Sequence, residues 1–364
     1  MSTADGAPGE AARESLGRAA GARVTGAGAP PSSGGAPGVV VGLLGPTAVG
    51  KTAVAAAVAR SLGIRVISFD SMQVYQGFPV LTNQPMAAEA RGVEHALVGF
   101  LDPLSVCSAA ECAALARRLV AEDVARTGAA LLAGGTGLYL RAALAPLSVA
   151  PGDPEVRSRL EQRAAAGGVG TLHDELARLD PAAAEAVGPR NGRRVIRALE
   201  AVLVGGKEWS GRDDLWNPRY DRPTVVVGLT LDRSRLYARI DCRAGCMVRE
   251  GAVEEVLRFR EEHGLEATAP GGPGIRSAIG YGESCRYLGG EISREEVAAE
   301  MAAATRRYAR RQLTWLRKVR DAVIIDVQDR DPEDVAREIL DLGAVACQRS
   351  PSGTPRSLDI YEAR

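Results

Sequence analysis

The chain has 364 residues, enough to bury a sizeable core as one large domain or as a core carrying an inserted subdomain. Its 45 basic and 45 acidic residues cancel, so any nucleic-acid footprint has to be local. No apolar run reaches the roughly 18–20 residues that a membrane-spanning helix needs, which leaves a soluble, cytoplasmic protein as the expectation. Residues 1–37 are nearly all Ala, Gly, Pro, Ser and Arg without apolar periodicity and predict a disordered extension. Asp5, Glu10 and Glu14 argue against a cleaved targeting peptide there, as does the lack of an apolar stretch.

The ordered part opens with an apolar strand at 38–44, then GPTAVGKT over Gly45–Thr52 and an Ala-rich helix over about 51–62. A strand follows at 64–69 (IRVISF), a helix over roughly 108–127, and a strand at 129–133 (AALLA) that ends in GGTG. Short apolar runs alternating with helices indicate a parallel sheet with right-handed crossovers. From about 152 to 216 the pattern becomes polar and helical with no clear strand, which reads as an inserted helical subdomain. A strand returns at 223–231, with helices at about 233–263 and 293–319 and a last strand at 322–326 (AVIID). A C-terminal helix and disordered tail fill 331–364. The expected fold is therefore α/β: a P-loop NTPase-like parallel sheet with flanking helices, its core at 38–151 and 217–330, interrupted by the insertion at 152–216.

Six cysteines (Cys107, Cys112, Cys242, Cys246, Cys285, Cys347) contain no C-x-x-C pair, and the histidines are only His95, His173 and His263. A zinc-finger pattern is thereby excluded. Cys242 and Cys246, at i and i+4 of a helix, read as small packing residues, and a reduced intracellular chain is the simplest expectation.

GPTAVGKT has the form G-x-x-x-x-G-K-[ST] between a strand and a helix. Its glycines let backbone N–H groups converge on an anion at a helix N-terminus, where the partial dipole charge adds to them. Lys51 adds a mobile cation, and Thr52 is placed to hold Mg²⁺. A nucleotide hydrolase also needs an acid at the end of a neighbouring strand. Here AALLA ends in Gly134-Gly135-Thr136, and no N-K-x-D guanine motif is present. The first acid after the loop is Asp70, at the end of the second strand, where ligands bind in such folds. It suits a general base or a substrate-orienting group.

Taken together and in order, GPTAVGKT, DSMQVY, GGTGLYL and ATRRYARRQLTW resemble the tRNA dimethylallyltransferases, also called tRNA isopentenyltransferases. The resemblance runs from about 38 to 327. It implies transfer of a dimethylallyl group from dimethylallyl diphosphate to the exocyclic amine of the adenosine next to the anticodon. The implied partners are the tRNA anticodon loop and Mg²⁺, with no membrane, and the implied state is a monomer. On this resemblance Gly45, Pro46, Thr47, Ala48, Val49, Gly50, Lys51 and Thr52 would cradle the diphosphate, with Thr52 near the metal. Asp70 would accept a proton from the adenine amine, and Thr136 and Arg243 would complete the catalytic set. Ser71, Met72 and Gln73 would touch the extruded nucleotide. Arg193, Arg194, Val195, Ile196 and Arg197 (RRVIR) match a tRNA-contacting segment, as do Ala278, Ile279, Gly280 and Tyr281 (AIGY).

Some positions depart from the family pattern. The paired histidines appear only as His95, the segment at Arg190–Arg194 loses an acid, and Arg243-Ala244-Gly245-Cys246-Met247 loses an aspartate. Arg190, Arg193, Arg194 and Arg197, then Arg306, Arg307, Arg310, Arg311, Arg317, Lys318 and Arg320, form local basic clusters of the kind that contact phosphates. Three other readings compete: an adenylate isopentenyltransferase acting on free AMP or ATP, a P-loop small-metabolite kinase, and a non-catalytic RNA-binding relative. The insertion and the arginine-rich late helix favour tRNA over free nucleotide.

Overall fold

The structure, a computed structural model, describes residues 38–106, 108–145, 152–205, 219–265 and 274–348. The expected N-terminal extension and the end of the C-terminal tail lie outside the described residues. Six strands form one all-parallel sheet in the order β3-β2-β4-β1-β5-β6. They are β1 (Val39–Leu44), β2 (Val66–Ser68), β3 (His95–Ala96), β4 (Ala129–Gly134), β5 (Thr224–Thr230) and β6 (Ala322–Asp326). Helices α1 (Lys51–Leu62), α2 (Ala87–Ala90), α3 (Ala109–Thr127) and α4 (Gly137–Leu144) accompany the first four strands.

The near-continuous apolar strand sequences follow from burial on both faces. In β1, Val41 and Leu43 feed the core on one side of the sheet while Val40 and Leu44 feed the other. In β4, Leu131 and Leu132 divide in the same way, and both are fully buried. Each such leucine contributes about 1.5–3 kcal/mol of apolar burial.

The chain divides into two compact units, one of residues 1–145 with 219–364 and the other of residues 146–218. In the second unit, α5 (Pro154–Leu179), which breaks at Gly168, α6 (Pro181–Val187) and α7 (Gly192–Gly205) enclose their own core of Leu160, Leu172, Leu176, Val195 and Leu199. Buried in it is the Glu200 carboxylate, which accepts from Arg157, Arg197 and the Asp153 N–H.

In the first unit, the sequence pattern at 233–263 folds as two helices, α8 (Arg233–Arg249) and α9 (Ala252–Glu262). Gly251 separates them with φ 116°, a left-handed conformation that side chains rarely take. After a 3₁₀ turn at Gly274–Ser277 come α10 (Tyr281–Leu288), α11 (Arg294–Leu316) and α12 (Pro332–Gln348). Ser293 and Glu296 cap α11 reciprocally. A further apolar cluster joins Val74, Tyr75 and Phe78 to Val248, Phe259, Tyr281 and Met301, walling the space beyond the strand ends.

One cysteine expectation needs correction, the packing role of Cys242. Among the described residues Cys242, Cys246 and Cys285 are free thiols. Cys242 is exposed and is no packing residue, whereas Cys246, one turn on, is partly buried.

Candidate active site

Strand register brings the site together. Leu44 of β1 pairs with Gly134 of β4, and Ala133 pairs with Ser68 of β2. All strands are parallel, so the loop after β1, the turn after β4 and Asp70 after β2 emerge on one edge. With neighbouring strands about 4.8 Å apart, Asp70 stands roughly 10 Å from the phosphate loop across the turn of β4.

At the start of α1, Gly50 takes φ 108° and no side chain caps the helix. Its first N–H groups therefore stay available to an anion. Ala48 sits at φ 66°, a left-handed conformation that costs an alanine about 1–2 kcal/mol. Such strain concentrates at ligand sites. The Lys51 Nζ donates to the carbonyls of Gly45 (2.9 Å) and Pro46 (2.8 Å). Burial lowers its pKa to about 8, against a smaller raising effect of Asp70 and with a further lowering by Arg243.

A cavity of about 380 Å³ lies against this edge. Thr47, Ala48, Gly50, Lys51 and Thr52 line it from the loop side, and Asp70, Ser71, Met72 and Gln73 from β2. Arg243 lines it from α8, and Ala278 and Ile279 from the segment before α10. Arg243 forms no salt bridge with any described residue, and burial pulls its pKa down, partly offset by Glu89. A half-buried guanidinium without a carboxylate partner is an anion site in waiting. Leu81, Ile240, Met247 and Met301 give the same cavity an apolar wall.

Asp70 holds its loop through an Asx turn, with Oδ1 accepting from the Met72 N–H at 3.0 Å. Gln73 donates to the Asn83 carbonyl at 2.6 Å and accepts from Ser68. Two N–H groups nearby, of Val80 and Leu81, donate at 2.8 Å to the buried Glu255 carboxylate, which anchors the loop that carries Asn83.

Other expected residues lie elsewhere. Gly45, Pro46 and Val49 are buried beneath the loop and do not line the cavity. Thr136 is the N-cap of α4, yet its hydroxyl makes no capping bond. Instead it lies 3.4 Å from the hydroxyl of Tyr308, which lines the cavity. Gly280 is the N-cap of α10, and Tyr281 is buried against Phe259. In the second unit, Arg193 and Arg194 are exposed, Val195 is fully buried, Ile196 packs on that core and Arg197 is paired with Glu200.

Sequence reasoning did not single out Tyr308, Gln312 or Glu89, which also line the cavity. Tyr308 and Gln312 sit at i and i+4 inside ATRRYARRQLTW, a spacing that could have marked them as one inward face. Burial and the charge of Asp70 push the Tyr308 phenol up to about 12, so it stays protonated.

Among the described residues no group of three or more His, Cys, Asp or Glu side chains could hold a metal ion. Thr52 offers a single hydroxyl at the cavity wall. That donor set fits Mg²⁺, which keeps its waters and binds through substrate phosphates, and does not fit zinc or a caged calcium.

Fold and site define a phosphate-loop α/β protein whose loop and Asp70 line one cavity, without the acid that a nucleotide hydrolase carries at the end of the neighbouring strand, here β4. The sequence model of the IPP transferase family matches residues 73–319. A tRNA dimethylallyltransferase of Thermomicrobium roseum is 41% identical over 324 residues, covering 86% of this chain and 96% of its own. One of Anaeromyxobacter dehalogenans is 42% identical over 297 residues, covering 81% and 97%. The chain belongs to this family, the tRNA dimethylallyltransferases, and is a prenyltransferase. Among solved structures, the tRNA isopentenylpyrophosphate transferase of Bacillus halodurans superposes with a TM-score of 0.61 at 37% identity, covering 85% of this chain and 96% of that one. A eukaryotic dimethylallyltransferase described as acting on tRNA shares the fold, with a TM-score of 0.72 at 23% identity and coverage of 87% and 81%.

Proposed function

We propose that this protein transfers the dimethylallyl group of dimethylallyl diphosphate to the exocyclic amine of the adenosine adjacent to the anticodon in tRNA, releasing diphosphate. The observation that carries the reading is the shared cavity, which the phosphate loop, Arg243 and Asp70 all line. An acceptor and an anionic leaving group can therefore flank one carbon atom.

The amine nitrogen attacks the allylic carbon as the bond from that carbon to the bridging oxygen breaks. The electron pair of that bond leaves with the diphosphate, and the amine proton passes to Asp70. An adenine amine is a weak nucleophile because its lone pair is delocalised into the ring, so a base that takes the proton as the bond forms supplies about 10²–10⁴ in rate. The loop N–H groups, Lys51 and Arg243 stabilise the charge that develops on the diphosphate. When bound, Mg²⁺ neutralises further charge on the leaving group, and Thr52 is the residue that would hold it. The apolar wall of Leu81, Ile240, Met247 and Met301 suits the hydrocarbon and keeps water from the allylic carbon.

The target base has to leave its stack to reach this cavity, at a cost of a few kcal/mol that is smaller in a loop than in a duplex. Ser71, Met72 and Gln73, with Ala278 and Ile279, are the surfaces on which it would rest. Exposed Arg193 and Arg194 of the helical unit, and exposed Arg307, Arg310, Arg317 and Arg320 in and after α11, supply phosphate contacts. As a tRNA-modifying enzyme the protein is expected in the cytoplasm and to act as a monomer. No helix among the described residues is long and apolar enough to cross a membrane.

The test is diphosphate release from dimethylallyl diphosphate with three acceptors: unmodified tRNA, AMP and no acceptor. Release only with tRNA is expected. Release with AMP and not tRNA would make the protein an adenylate isopentenyltransferase instead.

A further inference from the structure

Helix α11 reaches both halves of the site with side chains one turn apart. Gln312 is 7% exposed. Its Oε1 accepts from the Thr47 N–H at 2.8 Å, and its Nε2 donates to the Gly135 carbonyl at 3.1 Å. One carboxamide thus ties the phosphate loop to the turn that ends β4. The fit is close: a Cβ on Gly135 would lie 2.1 Å from Nε2. The Thr47 N–H, directed at Gln312, is also turned away from the anion cradle. One turn earlier on the same helix face, the Tyr308 hydroxyl lies 3.4 Å from the Thr136 hydroxyl.

We propose that Gln312 is a positioning residue for the transfer, setting the separation between the loop that holds the leaving group and the turn that carries Thr136. The proposal rests on the dimethylallyl-transfer reading above. Displacement at carbon needs the reacting atoms about 3–3.5 Å apart and in line, and a misplacement of about 1 Å costs on the order of 10²-fold. A carboxamide suits this strut because it presents a donor and an acceptor on one rigid plane. An ionised carboxylate lacks the donor, and a thioether of the same length lacks both strong groups.

The experiment compares the full-length parent with Gln312→Met and Gln312→Glu. It measures kcat, KM for each substrate, tRNA affinity, inorganic diphosphate affinity and thermal midpoint. Gln312→Met is expected to lower kcat by about 10–10²-fold and to weaken diphosphate at least threefold, with tRNA affinity within twofold of the parent. Gln312→Glu is expected to lose as much at pH 8. Its activity relative to the parent should recover as pH falls toward 5.5, because the protonated carboxyl again offers a donor to Gly135 and an acceptor to Thr47. That recovery is a readout that a misfolded variant would not give.

A kcat for Gln312→Met within twofold of the parent would overturn the proposal. So would a Gln312→Glu to parent ratio that stays flat with pH, or a loss seen only in tRNA affinity. If the parent itself fails to transfer dimethylallyl to tRNA, the functional reading fails. The strut is then judged on diphosphate affinity, where equal binding by the parent and Gln312→Met would refute it.

Discussion

Lys51 yields a prediction whose size follows from the structure. In the free protein its ammonium is folded back on the Gly45 and Pro46 carbonyls, and burial holds its pKa at about 8, with Asp70 opposing and Arg243 reinforcing the shift. A bound diphosphate favours the charged form and raises that pKa, so proton and ligand binding are linked. Below pH 8 the lysine is charged in both states and affinity is flat. Above pH 8 the free protein has to regain a proton in order to bind, and Kd rises toward tenfold per pH unit. With a pKa of about 8, about one lysine in eleven is charged at pH 9, so diphosphate should bind about tenfold more weakly than at pH 7.

The assay is titration calorimetry with inorganic diphosphate at fixed Mg²⁺ from pH 6.5 to 9.5, run alongside Lys51→Arg. An arginine keeps its charge throughout, so its profile reports the titration of the ligand alone, and the difference between the two profiles isolates Lys51. Identical profiles would refute the reasoning. A stability consequence follows with its own sign. The folded pKa lies below the usual 10.5, so the buried charge is a penalty present in full below about pH 8 and relieved as pH rises from there toward 10.5. The penalty is at most about 3.4 kcal/mol, from about 2.5 pH units at about 1.36 kcal/mol each, and less because the side chain is partly exposed. Lys51→Met should therefore unfold at higher denaturant concentration than the parent at pH 7.

Three further outcomes are expected. Asp70→Asn keeps the acceptor for the Met72 N–H and so the loop, but it removes the base; kcat should fall about 10²–10⁴-fold with tRNA affinity, by filter binding, unchanged within threefold. Arg141, fully buried, pairs with Asp321 and Tyr220, so Arg141→Met should cost about 3–5 kcal/mol in urea unfolding by stranding the Asp321 carboxylate. Arg141→Met combined with Asp321→Leu should recover most of that loss. Removing the exposed Arg193 and Arg194 together should weaken tRNA binding and make its salt dependence shallower by about 0.7–0.9 per lost phosphate contact, with kcat at saturating tRNA unchanged. A double variant with an unaltered salt slope would exclude those two side chains from the interface.

The sheet was legible because its strands are short apolar runs with glycine ends. The expected strands at 38–44, 129–133, 223–231 and 322–326 match β1, β4, β5 and β6 within a residue or two. Strand β3 was not legible, since two residues, His95 and Ala96, carry no periodicity and pair only through the Val66 and Ile67 register. The break at Gly251 was hidden because the apolar pattern continues across it at helical spacing, with Val248, Ala252 and Val256 all in one core cluster. At the site, the loop and Asp70 could be read from local pattern because strand ends of a parallel sheet share one edge. Gln312 could not, since its partners are 265 and 177 residues away and only the packing of α11 on that edge brings them together. Within RRVIR, sequence gave five equal candidates, but helix geometry sends Val195 inward and turns Arg197 toward Glu200.

The central claim is that this cavity joins an allylic carbon to a tRNA adenosine and discards diphosphate. The most direct measurement is mass spectrometry of nucleosides digested from unmodified tRNA after incubation with the protein, Mg²⁺ and dimethylallyl diphosphate. The account predicts one adenosine per acceptor tRNA heavier by a dimethylallyl group replacing hydrogen, located beside the anticodon, with one diphosphate released for each. Unmodified nucleosides in the presence of folded, tRNA-binding protein, or a prenyl group found on free AMP alone, would contradict it.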